Sequence, residues 1–252
     1  SQLSMPKFLS WRSHRFFLLS VILPVGVMIA LADCGYKTGI VDLTRGELAS
    51  QGTADERSLE ADAAAKGCLS LIERVVAARI DRNISVKLTQ LGLDIDVAVC
   101  RDHLRRILAL AKQHDVFVRV DIENTPYIQK TFDVFATMWG EGFRNTGTAL
   151  QSAVFRSEDD ARAMCEHGIR VRLVKGAYKE PPNLAHQAKA EVDAAYVRIM
   201  KMLLADGTYA AIATHDPAMI KATRPGLKID VRAKEEHRKG QVRVSDALWH
   251  PA

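Results

Sequence analysis

The four cysteines, Cys34, Cys68, Cys100 and Cys165, stand far apart, so no CxxC pair exists for metal or redox chemistry. No GxGxxG follows a strand and no GxxxxGK loop occurs, which speaks against a dinucleotide Rossmann domain and a P-loop. No basic run with interleaved aromatics occurs either. Cations are spread among carboxylates, so the net charge of +5 and the pI near 9.0 describe an ordinary solvated surface and not a nucleic-acid face. Cys100 and Cys165 fall in helical patterns as small core residues, which suits a reducing compartment.

What is present is apolar and periodic. With 252 residues, 48% of them hydrophobic, the chain can build one barrel-sized core or two smaller ones. Lys7, Arg12 and Arg15 precede an uncharged stretch, residues 16–32, that ends in a small-x-small site at Ala30-Leu31-Ala32. That layout reads as a signal peptide or a membrane anchor, and in either case as a lone apolar helix. A second block, residues 34–67, holds a strand candidate, TGIVDL (38–43), and then TRGELASQGT (44–53). Thr53 and Glu56 there form a capping box that opens a helix.

From residue 68 to 224 strands and helices alternate. Residues 84–88, 117–122, 146–150, 171–174 and 210–213 are strand candidates. Between them run helical stripes: Leu104, Ile107, Leu108 and Ala111; Ile128, Phe132, Phe135 and Trp139; Val192, Ala195, Tyr196, Ile199, Met202 and Leu203. Ser157 with Asp160 marks another helix start. Alternation of this kind predicts an α/β fold with a parallel sheet, here a partial or rearranged (β/α)₈ barrel of the TIM type behind the apolar N-terminal helix. Residues 225–252 form a charged tail with KEEHRK at 234–239.

Polar side chains collect at the C-terminal ends of the predicted strands: Lys87, Asp121 with Glu123, Gln151, Arg172 with Lys175, and Thr214 with His215. Each has a duller explanation alone. Lys87 can solvate a strand end, Asp121 and Glu123 can cap the helix near Pro126, and a lone histidine such as His215 is commonly a core residue. Together they define one barrel rim, where active sites of such folds lie. The segment VRLVKGAYKE (171–180) brings two cations and Tyr178 to a Gly-Ala turn, a grouping suited to an anionic aromatic ligand.

The segments SVKLTQLGLD (85–94), VRVDIE (118–123), LQSAVFR (150–156), RLVKGAYKE (172–180) and ATHD (213–216) resemble, in order and spacing, the proline dehydrogenase family. The resemblance implies FAD as cofactor, L-proline as substrate and a quinone or other electron acceptor. It implies that Asp121 and Arg172 lie at the reacting centre and that Lys87 pairs with the proline carboxylate, with Tyr178 lining the same pocket. Ile122, Gln151, Lys175, Gly176, Ala177, Thr214 and His215 would contact the flavin. No metal is required. The family implies a cytoplasmic or inner-membrane-associated protein, whereas the leader suggests export or anchoring through residues 16–32.

Two departures accompany the resemblance. It supplies about five of a barrel's eight strands, and the family's first strand is either missing or replaced by residues 39–43. Residues 225–252 contain no adjacent arginine pair like that of the family's last helix, so Lys87 is the one cation matched to the carboxylate and weak proline oxidation is expected. The block 34–67 is similar to a fragment of the de-N-acetylase family that includes the bacillithiol-biosynthesis deacetylase. That family's His-Pro-Asp-Asp zinc motif is absent before Gly35, so zinc-dependent deacetylation is not expected. A flavoenzyme and a non-catalytic barrel remnant both stay open, and the colour of the purified protein separates them.

Overall fold

A computed structural model describes residues 41–42, 54–79 and 81–223. The expected leader at 16–32, the cap residue Thr53 and the charged tail lie outside the described residues. Among the described residues the chain alternates strand and helix: β1 (Val41–Asp42), α1 (Ala54–Ala77), β2 (Asn83–Lys87), α2 (Val97–Gln113), β3 (Phe117–Asp121), α3 (Thr125–Gly140), β4 (Thr146–Gln151), α4 (Ser157–Glu166), β5 (Arg170–Val174), α5 (Lys189–Asp206), β6 (Ala210–Ile212) and α6 (Pro217–Thr223). The strands pair in parallel in the sequential order β1 to β6. This is the singly wound topology of a β/α barrel, in which each helix returns the chain along one face of the sheet.

The strand alternation assigns the two faces. Ile84, Val86, Val118, Val120, Val171 and Leu173 lie buried on the helix side. They pack with Leu104, Ile107, Leu108, Ile128, Phe135, Tyr196, Ile199 and Leu203, which are the predicted helical stripes. On β4 the helix-facing positions include Thr146 and Thr148. Their hydroxyls donate to the carbonyls of Val118 at 2.9 Å and Val120 at 3.2 Å, so no buried hydroxyl is left without a partner there. Burial raises the Cys68 thiol to about 11 and the Cys100 thiol to about 12, leaving both as inert core residues.

Val41–Asp42 supplies the first strand, paired with Ile84 and Ser85, within residues 39–43, which the sequence offered in place of the family's first strand. Two details differ from the sequence reading. The boundary at residue 67 falls inside α1, which continues through Gly67. A single glycine costs a helix only about 1 kcal/mol, and its neighbours are strong helix formers. Ser157 is the first residue of α4 and not its cap: its hydroxyl donates to the Gln151 carbonyl at 2.6 Å.

The start of α3 is held from a distance. Thr125 donates its N–H to Glu180 Oε1 at 2.8 Å and its hydroxyl to Oε2 at 2.5 Å. A buried carboxylate thus meets two donors at a helix N-terminus, where the dipole also favours negative charge. Glu180→Ala is expected to lower the unfolding free energy by about 1–2 kcal/mol. Urea denaturation measures this, and an unchanged midpoint would show that the cap carries no weight.

Candidate active site at the strand ends

The register places one polar row after another on the inner face of the sheet. Lys87 pairs with Asp121 across β2 and β3. Arg172 is the Cα partner of Ala149 on one side and of Ala211 on the other. The two alanines leave the Arg172 side chain room to cross β4. Its Nη2 forms an ion pair with Asp121 Oδ1, and its Nη1 lies 3.4 Å from Ser85 Oγ. Asp121 is 4% exposed, so this pair is largely withdrawn from water.

One residue pair below lies Arg119, the Cα partner of Ser85 and of Gly147. It is 1% exposed, and its Nε and Nη1 have no hydrogen-bond partner. Its guanidinium rests 5.2 Å from the Phe117 ring centre. Burial, and then the charge of Arg172, push its pKa down to about 10, which still leaves it a cation near neutrality. Arg172 Nε is buried and without a partner as well. Among the described residues the inner face therefore carries Lys87, Arg119, Arg170 and Arg172 against the carboxylate of Asp121, an excess of positive charge. Gly147 makes this packing possible: a Cβ there would stand 2.3 Å from the Arg170 carbonyl and 2.8 Å from the Phe117 ring.

The upper row ties neighbouring strand ends together. Glu123, for which a helix cap was the duller alternative to a place at the rim, accepts from the Thr89 hydroxyl at 2.7 Å and the Thr89 N–H at 3.2 Å. Asp121 is likewise taken up by Arg172 and not by the helix. Burial raises the Glu123 carboxyl above its ordinary value, and the Thr89 bonds oppose that rise. Gln151 is buried and donates through Nε2 to the carbonyls of Glu123 at 2.8 Å and Ile122 at 3.4 Å.

Gly176 follows with φ +107, and a Cβ there would lie 2.8 Å from Gln151 Oε1. Because Gln151 is anchored to the carbonyls of Ile122 and Glu123 just after β3, it cannot yield cheaply. Gly176→Ala is expected to cost about 1–3 kcal/mol in stability, since a side chain would enter a left-handed conformation against a fixed amide. A thermal unfolding curve matching that of the unaltered chain would contradict this.

The remaining sequence candidates sit at the same rim. Gly176, Ala177 and Tyr178 are exposed in the loop after β5, and Tyr178 retains 41% of its surface. Lys87 is half-buried. Thr214 and His215 follow β6, and His215 is exposed, so it is not a core histidine. Among the described residues the buried histidine is His103, whose Nδ1 stands 3.0 Å from the Leu91 carbonyl. Lys175 is engaged by Asp193 and by Asp216, the latter at 2.6 Å.

Sequence reasoning missed Arg119, Ser85, Glu180, Asp193 and the role of Asp216. The first two were within reach, because each stands two residues before a chosen candidate on the same strand face. Glu180 and Asp193 carry no local signal, since their partners lie 55 and 18 residues away.

Among the described residues no helix is long and apolar enough to cross a membrane. The proline dehydrogenase family matches residues 43–225, which takes in part of the block read as a de-N-acetylase fragment. Proline dehydrogenase 1 of Bacillus subtilis (strain 168) is 35% identical over 165 residues, covering 66% of this chain and 54% of that protein. Proline dehydrogenase 2 of the same strain is 36% identical over 157 residues, covering 62% and 52%. The chain thus spans about half the length of the curated relatives it matches. Among solved structures, proline utilization A (PutA) from Bdellovibrio bacteriovorus inactivated by N-propargylglycine aligns with a TM-score of 0.66 at 24% identity, over 79% of this chain and 25% of that one. At that identity the likeness speaks for the barrel fold alone.

Proposed function

The chain belongs to the proline dehydrogenase family, and from that premise we propose that it oxidises L-proline to 1-pyrroline-5-carboxylate with FAD as cofactor. The observation that carries the proposal is the row Lys87–Asp121–Arg172 on the inner face at the C-terminal strand ends. An inner face with excess cations, including a buried Arg172 Nε without a partner, suits an anionic ring system and an amino-acid carboxylate. The left-handed Gly176, with exposed neighbours and no Cβ, lets a flat or phosphorylated ligand approach the backbone.

Bound flavin supplies the hydride acceptor. The residues of the chain supply position and field. The Lys87 ammonium receives the substrate carboxylate, and Tyr178 covers the ring. Asp121 fixes the Arg172 guanidinium through their ion pair. Arg172 would hold its positive charge beside the acceptor ring, which gains negative charge as it takes the hydride from the carbon next to the proline nitrogen, while the nitrogen's proton passes to solvent. Ile122, Gln151, Lys175, Gly176, Ala177, Thr214 and His215 form the cofactor side of the rim. A quinone or another electron acceptor completes the cycle.

The test is proline-dependent reduction of an artificial acceptor by the FAD-loaded full chain and by Lys87→Met. Loss of a charge-assisted contact to the carboxylate is expected to raise KM about tenfold or more, with a smaller change in kcat. A variant with unchanged KM would remove Lys87 from the substrate site. A loaded chain inert to proline would remove the activity.

A further inference from the structure

Lys175 leads into Gly176, yet its ammonium does not stand free at the rim. It pairs with Asp193 on α5 and with Asp216 after β6, at 2.6 Å from the latter. Lys189, the first residue of α5, contacts the same two carboxylates at 2.5 and 2.8 Å. Two cations and two anions thus close a neutral quartet that joins the β5 loop, α5 and the β6 loop. Asp216 reaches further: its Oδ1 accepts from the Ala218 N–H at 2.9 Å, and its own N–H donates to Thr214 Oγ1 at 3.1 Å. The turns themselves are pinned to the sheet, with Ala153 N–H on the Lys175 carbonyl at 2.8 Å and Ala213 N–H on the Leu173 carbonyl at 2.9 Å.

Beside this quartet, the backbone N–H groups of Gly176, Ala177, Thr214 and His215 donate no hydrogen bond among the described residues. Two adjacent strand ends therefore present two pairs of backbone donors that the described residues do not take up. The left-handed Gly176, φ +107, opens the first of these turns without a Cβ, so an anion can approach its backbone.

We propose, resting on the flavin reading above, that Asp193, Lys175, Asp216 and Lys189 form a clasp that sets the spacing of the two turns, so that the anionic part of the cofactor is received by backbone N–H groups and not by the Lys175 ammonium. Lys175, Asp193 and Asp216 are then positioning residues. Both carboxylates are held below their ordinary values, chiefly by the hydrogen bond from Lys175, so the clasp stays charged at neutral pH.

The sign of a binding change tests this. If Lys175 were a direct phosphate ligand, Asp216→Asn or Asp193→Asn would release its charge and tighten FAD binding. The clasp predicts the opposite, a weakening of about tenfold in each variant. Asparagine at 216 keeps an acceptor for Ala218, so α6 retains its cap. Lys175→Met should weaken binding to a similar extent, and Lys175→Met/Asp216→Asn should be no weaker than either single change, because one unit is broken in all three. Lys175→Arg should restore most of the affinity.

A second readout needs no flavin. Amide exchange at Ala153 and Ala213 should quicken in Asp193→Asn, while that of β2 and β3 stays as in the unaltered chain. Tighter FAD binding in either aspartate variant, additive losses in the double variant, or unchanged exchange would overturn the clasp. Failure of the unaltered chain to bind FAD would instead count against the flavin reading, and the exchange measurement would still decide whether the clasp exists.

Discussion

Asp121→Asn is expected to destabilise the folded chain by about 3–5 kcal/mol, the cost of stripping a buried ion of its partner. Asp121 faces a sheet surface that also carries Lys87, Arg119 and Arg172, and it pairs directly with Arg172. Its neutralisation leaves Arg119 and Arg172 crowded in a poorly hydrated space, with Glu123 beside Lys87 as the remaining buried carboxylate nearby. Arg119, 1% exposed and with two unsatisfied nitrogens, is already at the edge of what burial allows. The companion expectation is an asymmetry. Arg172→Met should cost less stability than Asp121→Asn, because Asp121 keeps Lys87 and Arg119 nearby. Asp121→Leu/Arg172→Met should recover part of the loss, since it removes both charges together. Urea denaturation of the three variants checks the order. Equal losses for the two single changes would show that the excess of positive charge on this face has no energetic weight.

Arg172→Met carries the second large effect, on turnover. Under the proposed function its guanidinium is the fixed charge nearest the reacting centre, and removing one such preorganised donor costs about 10²–10³-fold in kcat. The loss should fall on kcat more than on KM, because the charge it stabilises develops only during hydride transfer. Arg172→Lys keeps a charge but loses the fork that holds Asp121 and reaches towards Ser85, so only part of the rate should return. Steady-state measurement with proline over a wide concentration range separates the two parameters. A variant with unaltered kcat would place the reacting centre elsewhere on the rim.

Much of this architecture was legible in the sequence, for physical reasons. The strands β2 to β6 fall within one or two residues of their expected positions, because, β4 apart, every second residue of each strand faces the helices and is apolar, as Ile84 and Val86 or Val171 and Leu173 are. Helical stripes such as Leu104, Ile107, Leu108 and Ala111 were legible for the same reason. What escaped notice depends on chain closure in space. Thr89 and Glu123, Thr125 and Glu180, and Lys175 and Asp193 meet only once the strand ends are side by side. Glu123 reads equally well as a cap of the next helix, and nothing within a few residues distinguishes a carboxylate that turns back to the preceding strand. β1 was the least legible strand. It lies inside the strand candidate 38–43, but a described strand of Val41 and Asp42 gives no period to measure, and its pairing with Ile84 and Ser85 is visible only in the sheet.

Under the proposed function the cationic strand-end face holds a flavin that takes electrons from proline. The direct measurement is the visible flavin absorbance of the purified 252-residue chain, loaded with FAD and freed of oxygen, before and after L-proline is added in excess. Stoichiometric flavin is expected, its visible band bleaching on addition of proline, with 1-pyrroline-5-carboxylate formed in equal amount and bleaching slowed in Arg172→Met. A chain that binds FAD and keeps its full absorbance in excess proline, or one that stays colourless, would contradict the proposed function.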